Sequence, residues 1–266
     1  MDNQQKSAQN ISSLSRPPSR LIGGRQANVI VLLGDAWSIY KQRLGAFLGV
    51  MIIPTLITVI LGAVLTGNGF LSLSLLFSGQ VVTGSGLLIF LAILFVIIIF
   101  IIQIWSQIAL LYAIKDREEN IGAREAYRRG WRKILSFLWV GLLAGLAVLG
   151  GFLLLIVPGI IFAVWFSLTS FVLIAEDIKG VKALRKSKEY VKGRWGGVFW
   201  RFLFIGALSI ILSQILALVF AFLPSSFKVG IIQLITGLFL TPLVMTYSFL
   251  VYSSLKALKN GSQYKN

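Results

Sequence analysis

The sequence predicts an all-α fold: a polytopic membrane bundle of six transmembrane helices in three hairpins, with an amphipathic interfacial helix before each odd-numbered span. Three observations predict it. Apolar residues make up 57% of the 266-residue chain and charged residues only 13%, with a mean hydropathy of +0.86, against about 45 to 50% and about 25% in soluble domains. The apolar residues fall in uncharged runs, and a helical crossing of the hydrocarbon core takes about 20 of them. An alternating six-span path also puts 24 of the 25 Lys and Arg residues on one side, or in the first turn of a span leaving it, with Lys228 alone opposite.

Taken in order, residues 1–28 are polar, and MDNQQKSAQNISSLSRPPSR lacks the apolar core of a cleavable signal peptide. This stretch reads as a disordered tail, followed by a membrane domain over 29–255 and a polar C-terminal tail over 256–266. No charge occurs between Leu44 and Ile114, which places spans at 44–65 and 87–113, the second long enough to tilt or project. Residues 66–86, TGNGFLSLSLLFSGQVVTGSG, are apolar for a loop and either lie in the interface or dip back as a re-entrant segment. From Ile134 to Ala175 there are 42 uncharged residues. As one helix rising 1.5 Å per residue they would reach about twice the core thickness, so they are read as spans 134–156 and 160–175. The break is assigned to a hairpin turn at Pro158 and Gly159, since proline interrupts a helix and glycine tolerates a tight reversal. Spans 198–222 and 229–253, joined by LPSSFKVG, complete the six. Because cytoplasmic loops collect Lys and Arg, both termini are expected in the cytoplasm, with the protein in the cell membrane.

The segments leading into the odd-numbered spans share a texture: NVIVLLGDAWSIYKQRLGAFLG, IGAREAYRRGWRKILSFLWVG and KGVKALRKSKEYVKGRWGGVFW. Each places a basic residue at the boundary (Arg43, Lys133, Arg194) and a bulky apolar residue four positions later (Phe47, Phe137, Val198). This suggests three copies of a unit made of a surface helix and a membrane hairpin. In VKALRKSKEYVKGRW, Val181, Leu184, Val191 and Trp195 share one helical face and Lys182, Arg185, Lys186 and Lys192 spread over the rest. Lys188 intrudes on the apolar stripe and is expected to snorkel. These four cations, with Arg128 and Arg132 of the second copy, are the expected contacts to anionic lipid headgroups, at about 1 kcal/mol per cation near an anionic leaflet. A net charge of +16 in a soluble chain would raise nucleic acid. With no binding motif or separate basic domain, none is expected as a partner.

The chain has neither Cys nor His, which removes disulfides, thiolate nucleophiles, Cys/His metal sites and imidazole catalysis. No cofactor is expected. Glu176 and Asp177, at the end of span four, are read either as a proton, cation or partner site, or as structural groups. In the structural reading Asp177 caps the following helix and Glu176 pairs with Lys179 or another nearby base. Gln103 and Gln107, one turn apart in span two, and Gln214 in span five form a candidate polar path, or else hydrogen-bond between helices. Arg201 is expected to snorkel to the headgroups. Pro54 and Pro242 should kink spans one and six, as gating hinges or as packed kinks satisfied by neighbours.

The run LLLIVPGIIFAVWFSLTSFVLIAEDIKGVKALRKSKEYVKGRWGGVFW resembles the six-span membrane domain attached to some bacterial glycerophosphoryl diester phosphodiesterases, and its stand-alone relatives. The features that carry the resemblance are Pro158-Gly159, Glu176 at a span end, Gly180, ALRKS at 183–187 and the basic, aromatic lead into the next span. It covers about 30–255 and implies an integral membrane protein. The phosphodiesterase is a separate histidine- and metal-dependent barrel for which this chain has neither the length nor a histidine, so that activity does not carry over. The sequence thus points to a non-enzymatic membrane protein acting in membrane organisation, lipid handling or as an accessory subunit beside a membrane-protein partner. The alternative is a transporter or channel for a small polar solute.

Overall fold

A computed structural model describes residues 28–64, 85–119 and 121–263, and among them every regular element is helical. The expected tail at 1–28 and the segment 66–86 fall outside the described residues except for residues 28, 85 and 86. Surface helices α1 (Val29–Gln42), α4 (Ala123–Trp131) and α8 (Val181–Val191) precede α2 (Leu44–Val64), α5 (Ile134–Leu154) and α9 (Trp195–Val219), which are spans one, three and five. Span two is α3 (Ser85–Lys115), and span four joins α6 (Ile156–Phe166) to α7 (Thr169–Glu176). Span six runs from α10 (Ser225–Ile235) through a π turn (Thr236–Leu240) into α11 (Thr241–Gln263). Among the described residues five stretches are long and apolar enough to cross a membrane, and the count reaches six if α1 and α2, bent by 85° between them, are taken as one broken span. The chain is a multi-pass membrane protein. In lipid a helix satisfies its own backbone polar groups, which is why apolar side chains such as Ile97, Leu146 and Ile211 can stand exposed on its outer face.

The three repeat boundaries share one hydrogen-bond geometry. The boundary N–H donates to the carbonyl three residues back: Arg43 to Tyr40 (3.2 Å), Lys133 to Gly130 (3.0 Å), Arg194 to Val191 (2.9 Å). The boundary carbonyl then accepts the first bond of the span, from Phe47 (3.0 Å), Phe137 (2.8 Å) and Val198 (3.1 Å). Seven residues before each boundary stands a small, fully buried residue: Ala36, Ala126 or Ser187. Span one packs on span two, span two on spans three and four, span four on spans three and five, and span five on span six. Span six returns to span one through α10 against α2, while α1 packs on α11. The three units therefore close into a ring whose core includes Tyr40, Phe47, Ile108, Leu173, Tyr247 and Leu255.

Several expectations are corrected. The hairpin between spans three and four turns at Leu155, whose backbone is extended (φ −167°, ψ 158°), and not at Pro158 and Gly159. Those two lie in the first turn of α6, where the missing proline N–H has no intrahelical acceptor to lose. Glycine is required at 159 for a different reason: a Cβ there would sit 2.4 Å from the Phe152 ring, and one on the facing Gly151 would lie 3.0 Å from the Gly159 Cα. Arg201 does not snorkel: it is buried, at 5% exposure. Helix α8 stops at Val191, so Trp195 belongs to α9, and Val181 is exposed while Ala183, Ser187 and Tyr190 join Leu184 and Val191 on the buried side. Lys188 places its ammonium over the Trp165 ring at 4.0 Å, a cation–π contact in place of snorkelling. The C-terminal stretch is polar, yet α11 runs on through it to Gln263.

Candidate functional site

At one end of the bundle the three surface helices turn their apolar sides onto protein and their cations outward. Helix α4 is held between spans one and two: the Trp105 indole N–H donates to the Tyr127 carbonyl (2.8 Å), and the Tyr127 hydroxyl donates to the Val50 carbonyl (2.7 Å). Helix α8 is held on span four, where the Ser187 hydroxyl donates to the Trp165 carbonyl (2.6 Å). Boundary bases reach residues far away in the chain. Arg43 donates to the Ile121 carbonyl (3.1 Å), and Lys133 pairs with Asp177.

Of the expected headgroup contacts, Lys182, Arg185, Lys192, Arg128 and Arg132 are exposed. Lys186 is half-buried, 3.5 Å from Glu189 and over the Tyr190 ring at 5.5 Å. Arg128 reaches Glu125 at 2.9 Å with its side chain still 80% exposed. The acids are drawn into structural pairs. Arg129 gathers Asp116, Glu119 (2.8 Å) and Glu125 (3.0 Å), which raises its own pKa and, with Arg128, holds the Glu125 carboxyl low. The hydrogen bond from Lys133 lowers Asp177, and the one from Lys259 at 2.7 Å lowers Glu189. What remains facing outward is mostly positive.

Glu176 sits at the centre of a knot the sequence did not disclose. Its Oε1 accepts from the hydroxyls of Tyr190 (2.7 Å) and Tyr252, with the Lys256 ammonium 3.5 Å away. Its partner base is therefore Lys256, not Lys179. Burial first, and then this carboxylate, push the Tyr190 hydroxyl pKa upward. Asp177 does not cap α8. It ends α7 in the left-handed region (φ 55°), a conformation Asp tolerates better than most residues. Tyr252 lies 76 residues from Glu176 in sequence, so only a search for donors to a buried carboxylate at a helix end could have suggested it.

The three glutamines are not brought together. Gln103 donates to the Thr58 hydroxyl (2.6 Å), an interhelical bond between spans one and two. Gln214 is exposed and is not among the residues lining the cleft that Gln107 reaches. That cleft, of about 470 Å³, lies between spans two, four, five and six and is lined by Gln107, Phe171, Ser209, Thr236 and Ser248, among others. The π turn forms one wall, and π turns recur at functional sites. Ser209, Thr236 and Ser248 each donate to a carbonyl four residues back, at 2.7 to 2.8 Å. They offer the cleft lone pairs rather than protons, and among the described residues none that lines the cleft is titratable.

Compared with known proteins, the chain matches no family model, no curated protein sequence and no solved structure.

Proposed function

We propose that this is a non-enzymatic integral membrane protein of the cell membrane, with both termini in the cytoplasm and its cationic end on anionic lipid headgroups. It acts there in membrane organisation, lipid handling or as an accessory subunit. One observation carries the reading: Lys182, Arg185 and Arg128 on short helices, and Lys192 and Arg132 directly after them, are exposed while the apolar sides of those helices are docked on protein. Rigidly mounted cations suit a charged leaflet, each adding about 1 kcal/mol. The resemblance of its short motifs to those of the phosphodiesterase-associated membrane domains is in keeping with a membrane-bound role. Cross-linking of the reconstituted protein to anionic lipid tests it. Neutralising Lys182, Arg185, Lys186 and Lys192 should weaken cross-linking, with Lys186 contributing least because Glu189 already engages it; unchanged cross-linking would overturn the headgroup role.

A second reading, passage of a small polar solute, is favoured by the cleft at Gln107 and the π turn. Solute flux in proteoliposomes should then fall in Gln107→Leu and be spared in Gln214→Leu. Flux that survives Gln107→Leu removes this route.

A further inference from the structure

Helix α4 sets Arg124 and Arg128 one turn apart, and both border a cleft of about 510 Å³ closed by Ile53, Ile102, Trp105 and Tyr127. Like charges at this spacing repel on a helix, and among the described residues the neighbouring acids leave the pair only partly neutralised. Asp116 and Glu119 pair with Arg129, and Glu125 is shared between Arg128 and Arg129. Arg124 is exposed, and none of the ion pairs among the described residues includes it. The rest of the lining is mainly apolar, and part of it is fixed: the Trp105 indole is tied to the Tyr127 carbonyl and meets the Tyr127 ring edge-on at 5.0 Å. Ile53 of span one lines the cleft and is 51% exposed.

Two cations lining one cleft with aromatic and aliphatic side chains match a molecule with one anionic end and one apolar end. We infer that this cleft binds one anionic phospholipid, its phosphate on Arg124 and Arg128 and an acyl chain along Ile53, Ile102 and Trp105. Guanidinium groups hold phosphate oxygens in a planar fork that an ammonium cannot reproduce. A soluble anion would use the arginines and leave the slot empty, whereas the lipid uses both. The inference rests on the reading that the basic end faces an anionic leaflet, and makes one point on that end a discrete site.

The test uses the full chain in phosphatidylcholine vesicles containing phosphatidylglycerol with a photoactivatable acyl chain, adducts being mapped by mass spectrometry. Adducts are expected on the segments carrying Ile53 and Ile102. Arg124→Gln with Arg128→Gln should lower their yield by about tenfold or more, the loss of two charge-assisted contacts. Ile53→Trp fills the slot with both arginines in place and should lower it as well. The double Arg→Lys variant should restore only part of the yield. Equal yield from a phosphatidylcholine probe overturns the inference. So does undiminished yield in the Arg→Gln variant, or displacement by soluble glycerol phosphate. Total labelling, read after neutralising Lys182, Arg185 and Lys192, reports on the broader headgroup reading separately. If it falls while the cleft adducts fail to depend on Arg124 and Arg128, only the discrete site is lost.

Discussion

Pro54 has no N–H to give the carbonyl four residues back, that of Val50, and the hydroxyl of Tyr127 supplies the missing donor at 2.7 Å. Ser106 completes the chain at 2.6 Å from that hydroxyl. A proline inside a span is tolerated when a neighbour satisfies the freed carbonyl in this way. Tyr127→Phe should therefore cost about 1 to 3 kcal/mol, the price of an unsatisfied buried acceptor. Thermal unfolding in detergent measures it. In a Pro54→Ala background the restored N–H competes for the same carbonyl, so the cost should shrink; a cost equal in both backgrounds would refute the pairing. Glu176 shows the same logic with a charge. Half-buried at a span end, it persists because Tyr190 of α8 and Tyr252 and Lys256 of α11 converge on one oxygen.

At the scale of elements, the span three–span four hairpin depends on close approach rather than on its proline. Gly159→Ala should destabilise by about 1 to 3 kcal/mol through overpacking against Phe152. Pro158→Ala should leave the turn at Leu155 intact, as cysteine cross-linking of the two helices would report. The surface helices obey a second small-residue rule. Ala36, Ala126 and Ser187 occupy the same place in the three units and are all fully buried. Leucine at any one of them should cost about 1 to 3 kcal/mol, and similar losses at all three sites would mark the units as equivalent. A loss confined to one site would limit the repeat to its boundary hydrogen bonds.

Across the whole molecule, ion pairs fasten elements far apart in the chain at the cationic end: Lys133 to Asp177, and Lys259 of α11 to Glu189 of α8. Both acids have pKa values lowered by their lysine partners. A depressed carboxyl contributes its stability fully above its unfolded-state pKa and loses it as pH falls through the lower folded-state value. The melting midpoint should accordingly hold steady from pH 7 to about 5 and drop below about 4. Side chains 65% and 51% exposed limit each acid to about 1 kcal/mol or less. Asp177→Asn with Glu189→Gln should shallow the acid drop; an identical drop would place the titration elsewhere.

The sequence by itself determined the membrane class, the helical spans and the places where surface helices lead into odd-numbered spans. Hydropathy and charge are local, and the bilayer acts on them residue by residue. Gln103 illustrates the boundary of that reading: its need for a partner was legible, but Thr58 as the partner was not. The turn at Leu155, the burial of Arg201, the tyrosines on Glu176 and the α1–α11 contact that closes the ring were decided only by the tertiary structure. Each depends on which helices become neighbours, and that is set by side-chain packing between residues far apart in the chain. The apolar pattern looks alike on every face of a span and cannot rank one such neighbour above another.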